Sequence, residues 1–319
     1  MAQTFFPIAP VDVTHAVDTT WTDVDVSAHV PVGTTGVILH VVNSSAPPVG
    51  LDYGLRKKGS GDDHPNRDTG VYEHFWAAIG VDANRIFQAY LEVAADFELW
   101  LVGYTMAGVT FFDNGVFQAG PGAVWADWDL SGSCPGAVGV ILEVTGKSIS
   151  YGAQCKGSGD NRTAPGYHYF AIVKCNASQV IEIYGSAVWI DFFCVGYITD
   201  GVTLFTDLPD YSPGVTGIYV DLDISGDCPN SVMAFIQVLG GGGLVYALKK
   251  KGSAEDIVRD AWGLLGGFVE VDAAHILEGK IVNLATDFFL TGSADSDGVP
   301  PPAPAGGSMA AKMVGHKMV

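Results

Sequence analysis

Three aspartate pairs with the same spacing are the first residues in this chain that could do chemistry: Asp23/Asp25, Asp127/Asp129 and Asp221/Asp223. A separation of two places both carboxylates of a pair on one face of an extended strand. Such a face could offer oxygen ligands to Ca²⁺, which takes about six to eight of them. Neither EF-hand spacing nor a further cluster of acids completes that shell, so solvated outward carboxylates are expected and no metal site is assigned. Acid/base catalysis would need a nucleophile or partner group beside the pair, and none accompanies any of the three. Trp21, Trp125 and Tyr219 share the strand face of these aspartates. An aromatic ring beside carboxylates on an open face is the composition of a carbohydrate site. Packing over the sheet edge is the alternative, and the general burial of aromatics favours it.

A turn recurs further along: Lys58-Gly59-Ser60-Gly61-Asp62, Lys156-Gly157-Ser158-Gly159-Asp160 and Lys251-Gly252-Ser253-Ala254-Glu255. It lacks the spacing of a phosphate-binding loop and the strand-to-helix setting such a loop needs. Arg67, Arg162 and Arg259 follow the three turns. A local ion-pair cluster closing a hairpin is expected, with each exposed pair contributing about 0–1 kcal/mol. The functional alternative is polar recognition of a sugar or a neighbouring subunit, displayed three times on a rigid scaffold. The candidate binding residues are thus Trp21, Asp23, Asp25, Lys58 and Asp62, then Trp125, Asp127, Asp129, Lys156 and Asp160, then Tyr219, Asp221, Asp223, Lys251 and Glu255. His74 and His168 occupy matching places, but Trp262 stands at the third, so histidine ligation of a metal is not expected. No nucleophile–histidine arrangement has a recognisable signature. The expectation is a protein without catalytic residues or cofactor.

Both features belong to a threefold internal repeat, the kind of signal that decides an architecture. The first block is Trp21-Thr22-Asp23-Val24-Asp25-Val26-Ser27, matched by Trp125-Ala126-Asp127-Trp128-Asp129-Leu130-Ser131 and Tyr219-Val220-Asp221-Leu222-Asp223-Ile224-Ser225. The turn follows, opened by Tyr53, Tyr151 and Tyr246, and an apolar segment closes each copy around Glu98-Leu99, Asp191-Phe192 and Asp287-Phe288. In the first copy Ala83, Ile86, Phe87, Tyr90 and Leu91 fit a helical period. The matching Val180-Ile181-Glu182-Ile183-Tyr184-Gly185 is β-branched and too short for a helix, so strand is predicted for both. Short strands between Gly, Pro, Asn and Asp clusters predict an all-β chain of three tandem jelly-roll-like β-sandwich domains. Their expected spans are 1–115, 116–208 and 209–297, followed by a Pro/Gly-rich arm at 298–319. Each copy is long enough to bury its own core, so independently folding beads are expected rather than solenoid turns. The arm carries Lys312, His316 and Lys317 and no acid after Asp297. It could dock on an acidic neighbour or fray as a terminus.

The 319 residues hold 16 Lys+Arg against 35 Asp+Glu, a formal charge of −19. Such a surface repels nucleic acid and anionic membrane, which are excluded as direct partners. Only 16% of residues are charged, against about 25% in an ordinary soluble domain. No apolar run approaches the roughly 20 residues that span a bilayer. A surface so poor in charge predicts burial in subunit contacts, and hence a homo-oligomer. The start Met1-Ala2-Gln3-Thr4-Phe5-Phe6-Pro7 has no features of a secretory signal. Cys134, Cys155, Cys175, Cys194 and Cys228 form no C-x-x-C pair. Free thiols are expected, with a bridge inside the middle third as the alternative.

The opening at 21–27, continued by residues 30–37, resembles a β-sandwich opening of virion surface proteins from tailed bacteriophages. The turn at 53–63 and the strand at 97–104 add to the resemblance, which covers most of each repeat. It implies a capsid decoration protein, head fibre or tail appendage, made in the host cytoplasm and placed on the virion surface. Partners would then be capsid or other virion proteins. The cysteine-rich second copy departs from the pattern. The expected function is non-enzymatic: decorating or stabilising a protein shell through subunit contacts. The alternative is a carbohydrate-binding or adhesion protein, with glycans held at three repeated sites whose avidity adds.

Overall fold

The computed structural model describes residues 3–45, 50–64, 72–241, 244–260 and 263–296. Strands form where apolar residues alternate with polar ones. Over Thr22–Asp25 only Val24 is buried while both aspartates face out. Over Ile86–Leu91, Phe87, Ala89 and Leu91 are buried and their neighbours half-exposed. That period-two pattern makes the segment a strand despite its helix-like spacing.

The first copy comprises β1 (Phe5–Asp12), β2 (Thr22–Asp25), β3 (Gly36–Asn43), β4 (Tyr53–Lys57), β5 (His74–Gly80), β6 (Ile86–Leu91) and β7 (Phe97–Thr105). They form two sheets in the orders β1-β7-β3-β5 and β2-β6-β4. The second comprises β8 (Val109–Ala119), β9 (Trp125–Asp129), β10 (Gly139–Cys155), β11 (Ala164–Lys174), β12 (Val180–Gly185) and β13 (Asp191–Ile198). Here β10 serves both sheets, pairing β13 through its first half and β12 through its last residues, with β11 running beside it from Gly139 to Tyr151. The third has β14 (Val202–Leu204), β15 (Val220–Asp223), β16 (Ser231–Leu239), β17 (Val245–Lys250), β18 (Arg259–Asp260), β19 (Leu264–Glu270), β20 (Ile276–Ile281) and β21 (Asp287–Asp295). Its orders, β14-β21-β16-β19 and β15-β20-β17-β18, are the two four-stranded sheets of a jelly roll. The chain is all-β, with jelly-roll-like sandwiches throughout.

Two details depart from the sequence reading. The strand β8 crosses the expected boundary at 115/116 and pairs with β13, and β14 lies before 209 yet pairs with β21. The Gly, Pro and Asp residues gathered at 114–123 and 206–214 suggest linkers there, but ladder pairing makes β8 and β14 the first strands of the second and third copies. The connections are only residues 106–108 and 199–201. Nor are the copies separate beads. One apolar core runs through all three, and the edge strands β5, β11 and β19 pack pairwise against one another. Pairing register makes Trp76, Phe170 and Gly266 equivalent, opposite His40, Glu143 and Gln237. A Cβ on Gly266 would stand 2.1 Å from the Phe170 carbonyl oxygen, so only glycine lets the backbones meet there. The next seam outward uses the same device. The Phe111 ring of the second copy fills space over Gly36 of the first, where a Cβ would lie 2.2 Å from the ring.

Tyrosines complete the arrangement. The Tyr53 hydroxyl donates to the His168 carbonyl oxygen (3.4 Å), and Tyr246 donates to that of His74. Tyr53 stacks on His168 at 4.4 Å, and Tyr246 lies tilted against His74 at 4.2 Å. Register also corrects the third histidine position. His74, His168 and Leu264 stand opposite Val42, Thr145 and Leu239, which in turn face Glu98, Asp191 and Asp287. Leu264 therefore replaces the histidine, and Trp262 lies outside the described residues. Tyr151, matched to Tyr53 and Tyr246, stacks instead on Tyr169 at 4.8 Å.

These contacts predict mutual dependence. Phe111→Ala should lower unfolding stability by about 3–5 kcal/mol, and Gly266→Ala by about 1–3 kcal/mol. Urea titrations of each variant check this, and midpoints equal to wild type would show that the seams contribute nothing.

Candidate functional site

The expected binding residues fall into two groups that point in different directions. One covers the outer face of the β2-β6-β4 sheet and its counterparts. Lys58 pairs with Asp23, Lys156 with Asp127 (2.5 Å) and Lys251 with Asp221 (2.6 Å). The repeat therefore brings the turn lysine onto the first aspartate in every copy. The second aspartate does something else. Asp25, Asp129 and Asp223 accept the backbone N–H of Ser27, Ser131 and Ser225 at 2.8, 2.9 and 2.9 Å. Hydrogen bonds from these serines hold all three carboxyls below the usual aspartate range. An aspartate bonding two residues ahead fixes the turn that ends the strand.

The aromatic rings of this face are half-buried and occupied. The Arg56 guanidinium lies over Trp21 at 4.0 Å, and the Lys249 ammonium over Tyr219 at 4.0 Å. The Tyr219 hydroxyl donates to Asp256 (2.9 Å). Trp125 packs against Tyr184 at 5.6 Å, as Trp21 packs against Tyr90 at 5.9 Å. Cation–π contacts and cross-strand pairs stiffen the sheet.

The turn acids form the second group, and they reach into the neighbouring copy. Asp62 accepts the Gly115 N–H (2.7 Å), while Gly61 N–H and the Ser60 hydroxyl meet Asn114 Oδ1 at 2.8 and 3.2 Å. Asp160 accepts the Leu208 N–H (2.8 Å), while Gly159 N–H and the Ser158 hydroxyl meet Asp207 at 3.0 and 3.1 Å. Glu255 instead meets His40 of the first copy at 3.1 Å. The turn is a latch across a seam rather than the purely local cluster expected from sequence. Arg162 pairs locally with Asp160 (2.5 Å) and also lies over Phe289 of the third copy at 3.7 Å. Arg259 lies over Tyr72 of the first copy at 5.1 Å. Arg67 lies outside the described residues.

Of the buried histidine–carboxylate clusters at the seams, the sequence marks only the matching pair His74 and His168; His40, His64 and Glu143, which complete the clusters with residues of neighbouring copies, give no signal. His64 Nδ1 stands 2.7 Å from Glu143 Oε2, and His168 Nε2 stands 2.6 Å from the other Glu143 oxygen. His64 also stacks on Phe193 at 3.6 Å. At another seam, His40 links Glu255 to His74 through a 2.8 Å contact and stacks on Trp76 at 4.0 Å. Burial opposes charge on His64, but Glu143 and Asp62 outweigh it and raise its pKa to about 9. Burial likewise opposes the Glu143 carboxylate, yet His64 and His168 bring it down to about 2. For His74, burial dominates and pushes the pKa well below 6.5, with His40 and Arg259 adding to the effect. Among the described residues, no group of three or more His, Cys, Asp or Glu is arranged to hold a metal ion. All five cysteines are buried and unbridged, with the Cys134 and Cys194 sulfurs 3.8 Å apart. Among the described residues no helix is long and apolar enough to cross a membrane.

No family pattern matches the chain, and no curated protein is similar to it. A solved structure described as the triple jelly roll fold and turret assembly in an archaeal virus shares 9% identity, covering 92% of this chain and 91% of that one at a TM-score of 0.22. At that score the fold assignment rests on the sheet orders of this chain alone.

The clusters set a pH window. Stability that needs neutral His74 is complete above about 6.5 and is lost as pH falls below it. The share from ionised Glu143 is complete above 4.5 and is lost as pH falls toward about 2. The share from protonated His64 is complete below 6.5 and is lost as pH rises through about 9. Melting temperature should therefore decline on both sides of neutrality. His74→Leu, which installs the residue of the third copy, should flatten the decline between pH 6.5 and 4.5. Calorimetry across pH 4–10 checks this, and an unaltered acid limb in His74→Leu would remove His74 as its source.

Proposed function

We propose that this chain is a non-enzymatic structural protein of a virion, where it decorates or stabilises a protein shell through subunit contacts. The observation that carries the reading is where eight of the twelve exposed large apolar side chains among the described residues meet solvent. In each sandwich the connection between the first two strands meets the connection between the last two, because both strand pairs are antiparallel. Backbone bonds tie these loops together: Thr19 N–H to Leu91 O, Ala123 N–H to Gly185 O and Gly217 N–H to Ile281 O. This one end displays Val124, Val188 and Trp189 in the second copy, and Val215, Ile218, Val282 and Leu284 in the third. The first copy contributes Val17. Apolar loops gathered at one end of rigid sandwiches are suited to contact with another protein.

A non-catalytic role is supported by what the prominent polar groups do. The paired aspartates, turn lysines and turn acids each make contacts that build a sheet, a turn or a seam. The carbohydrate alternative has less support, since cations already cover Trp21 and Tyr219. Capsid or other virion proteins are the partners this reading implies, with location at the particle surface.

Immunolabelling of particles purified from cells that make the protein should find it on their surface. The double variant Trp189→Asp/Leu284→Asp should fold normally, judged by melting temperature, and lose at least about 90% of its particle association, equivalent to roughly 1.4 kcal/mol. Wild-type protein recovered as free monomer and absent from particles would sink the reading.

A further inference from the structure

The three seams are closed differently. At the first, Phe111 lies over Gly36, and Lys57 reaches Asp113 at 2.7 Å. At the second, Leu204 lies over Gly139, where a Cβ would stand 2.4 Å from its Cδ1, and Lys174 donates to Thr206 (3.0 Å). Strand pairing matches these plugs to Pro7, because Phe111, Leu204 and Pro7 face Gly196, Gly292 and Gly103. Three residues further on, the latch residues Asn114 and Asp207 are matched by Pro10, whose side chain can neither donate nor accept. Beside its plug position the third seam thus has a small ring, and Pro10 stands where the others carry a latch residue, the turn acid Glu255 reaching His40 instead. Beside Pro7 opens a cleft of about 760 Å³, walled by Pro229, Val232, Lys250, Glu270, Val271 and Ser296. The chain leaves this wall at Ser296, whose N–H donates to the Asn230 carbonyl oxygen (2.8 Å). It continues as Asp297-Gly298-Val299-Pro300-Pro301-Pro302-Ala303-Pro304.

We infer that residues 299–304 dock into this cleft of their own chain and close the third seam from the C-terminal side. Only two residues separate the cleft wall at Ser296 from Val299, so reach imposes no strain. A proline-rich run extends at roughly 3 Å per residue and is stiff beforehand, which lowers the entropy lost on docking. Proline lacks an N–H, so its burial leaves no orphan donor. Its ring suits the apolar wall of Pro7, Pro229, Val232 and Val271, and its carbonyl oxygens can accept from the Lys250 ammonium. The volume lies within the roughly 300–1,000 Å³ of ordinary binding sites. This inference stands on the third seam alone and is independent of any role in a particle.

Hydrogen exchange tests it on the full chain against a chain ending at Ser296. The Val271 amide, which donates to Val232 O at 3.2 Å, should exchange roughly tenfold faster after truncation, as local opening becomes easier. Excess synthetic peptide spanning residues 297–306 should restore its protection. The full-length variant Val299→Asp/Pro302→Asp should reproduce the loss without removing the segment. A photo-crosslinker at position 302 should join residues 229–232 or 270–273 of the same chain. Exchange that truncation leaves unchanged would overturn the inference. So would cross-links that join heavy to light chains in an isotope mixture, since a second copy would then own the segment.

Discussion

The fourth strand of each inner sheet is an edge, and an unpaired edge is a hazard that a β protein must cover. Here the three edges, β5, β11 and β19, are turned toward one another. Their carbonyl groups still need donors once water is excluded. Tyr53 and Tyr246 supply them by reaching across to His168 and His74, each burying its ring in the same act. Covering edges in this way explains why the copies cannot be separated into beads, and why glycine at position 266 and the glycine-backed Phe111 are needed. Close approach of these backbones leaves no room for a side chain at position 266.

Much of this architecture is legible in the sequence, and the legible part is local. Alternation around Val24 and around Phe87 reports which side of a strand is dry, and the repeat carries that inference from one copy to the next. The pairing of Lys58 with Asp23 is not legible in the sequence, although both residues recur at fixed places in all three copies. What the sequence hides is contact between copies. His64 belongs to a loop of the first repeat and Glu143 to a strand of the second, so no spacing announces their bond. The mismatch of Trp262 with His74 arose because residues between turn and strand vary in number, and only ladder register shows that Leu264 is the true counterpart. Likewise β8 looks like a linker, since Asp113, Asn114 and Gly115 interrupt it, yet those residues form the bulge that receives the preceding turn.

Low charge content led to an expectation of burial between subunits. Part of the surface so hidden is internal, at the seams where Phe111, Tyr53 and Tyr246 are buried. Charges that enter the seams include Glu143, met by two histidines, Asp160, met by Arg162, and Glu255, met by His40. Buried ions are tolerable only with such partners. The paired groups also restrict which surfaces can meet, since a shifted neighbour would strand a carboxylate without its imidazole.

The connections at residues 106–108 and 199–201 have a consequence for how little each interface must contribute by itself. Three free jelly rolls would meet by diffusion and would have to offset the loss of overall translation and rotation at every encounter. Tethers of three residues hold each sandwich beside its partner at a high effective concentration. Imperfect packing at one junction can then persist without the trio coming apart on dilution. Covalent linkage also lets each junction diverge, so that a leucine, a proline or a cysteine can settle in one copy while the other two keep their own solutions.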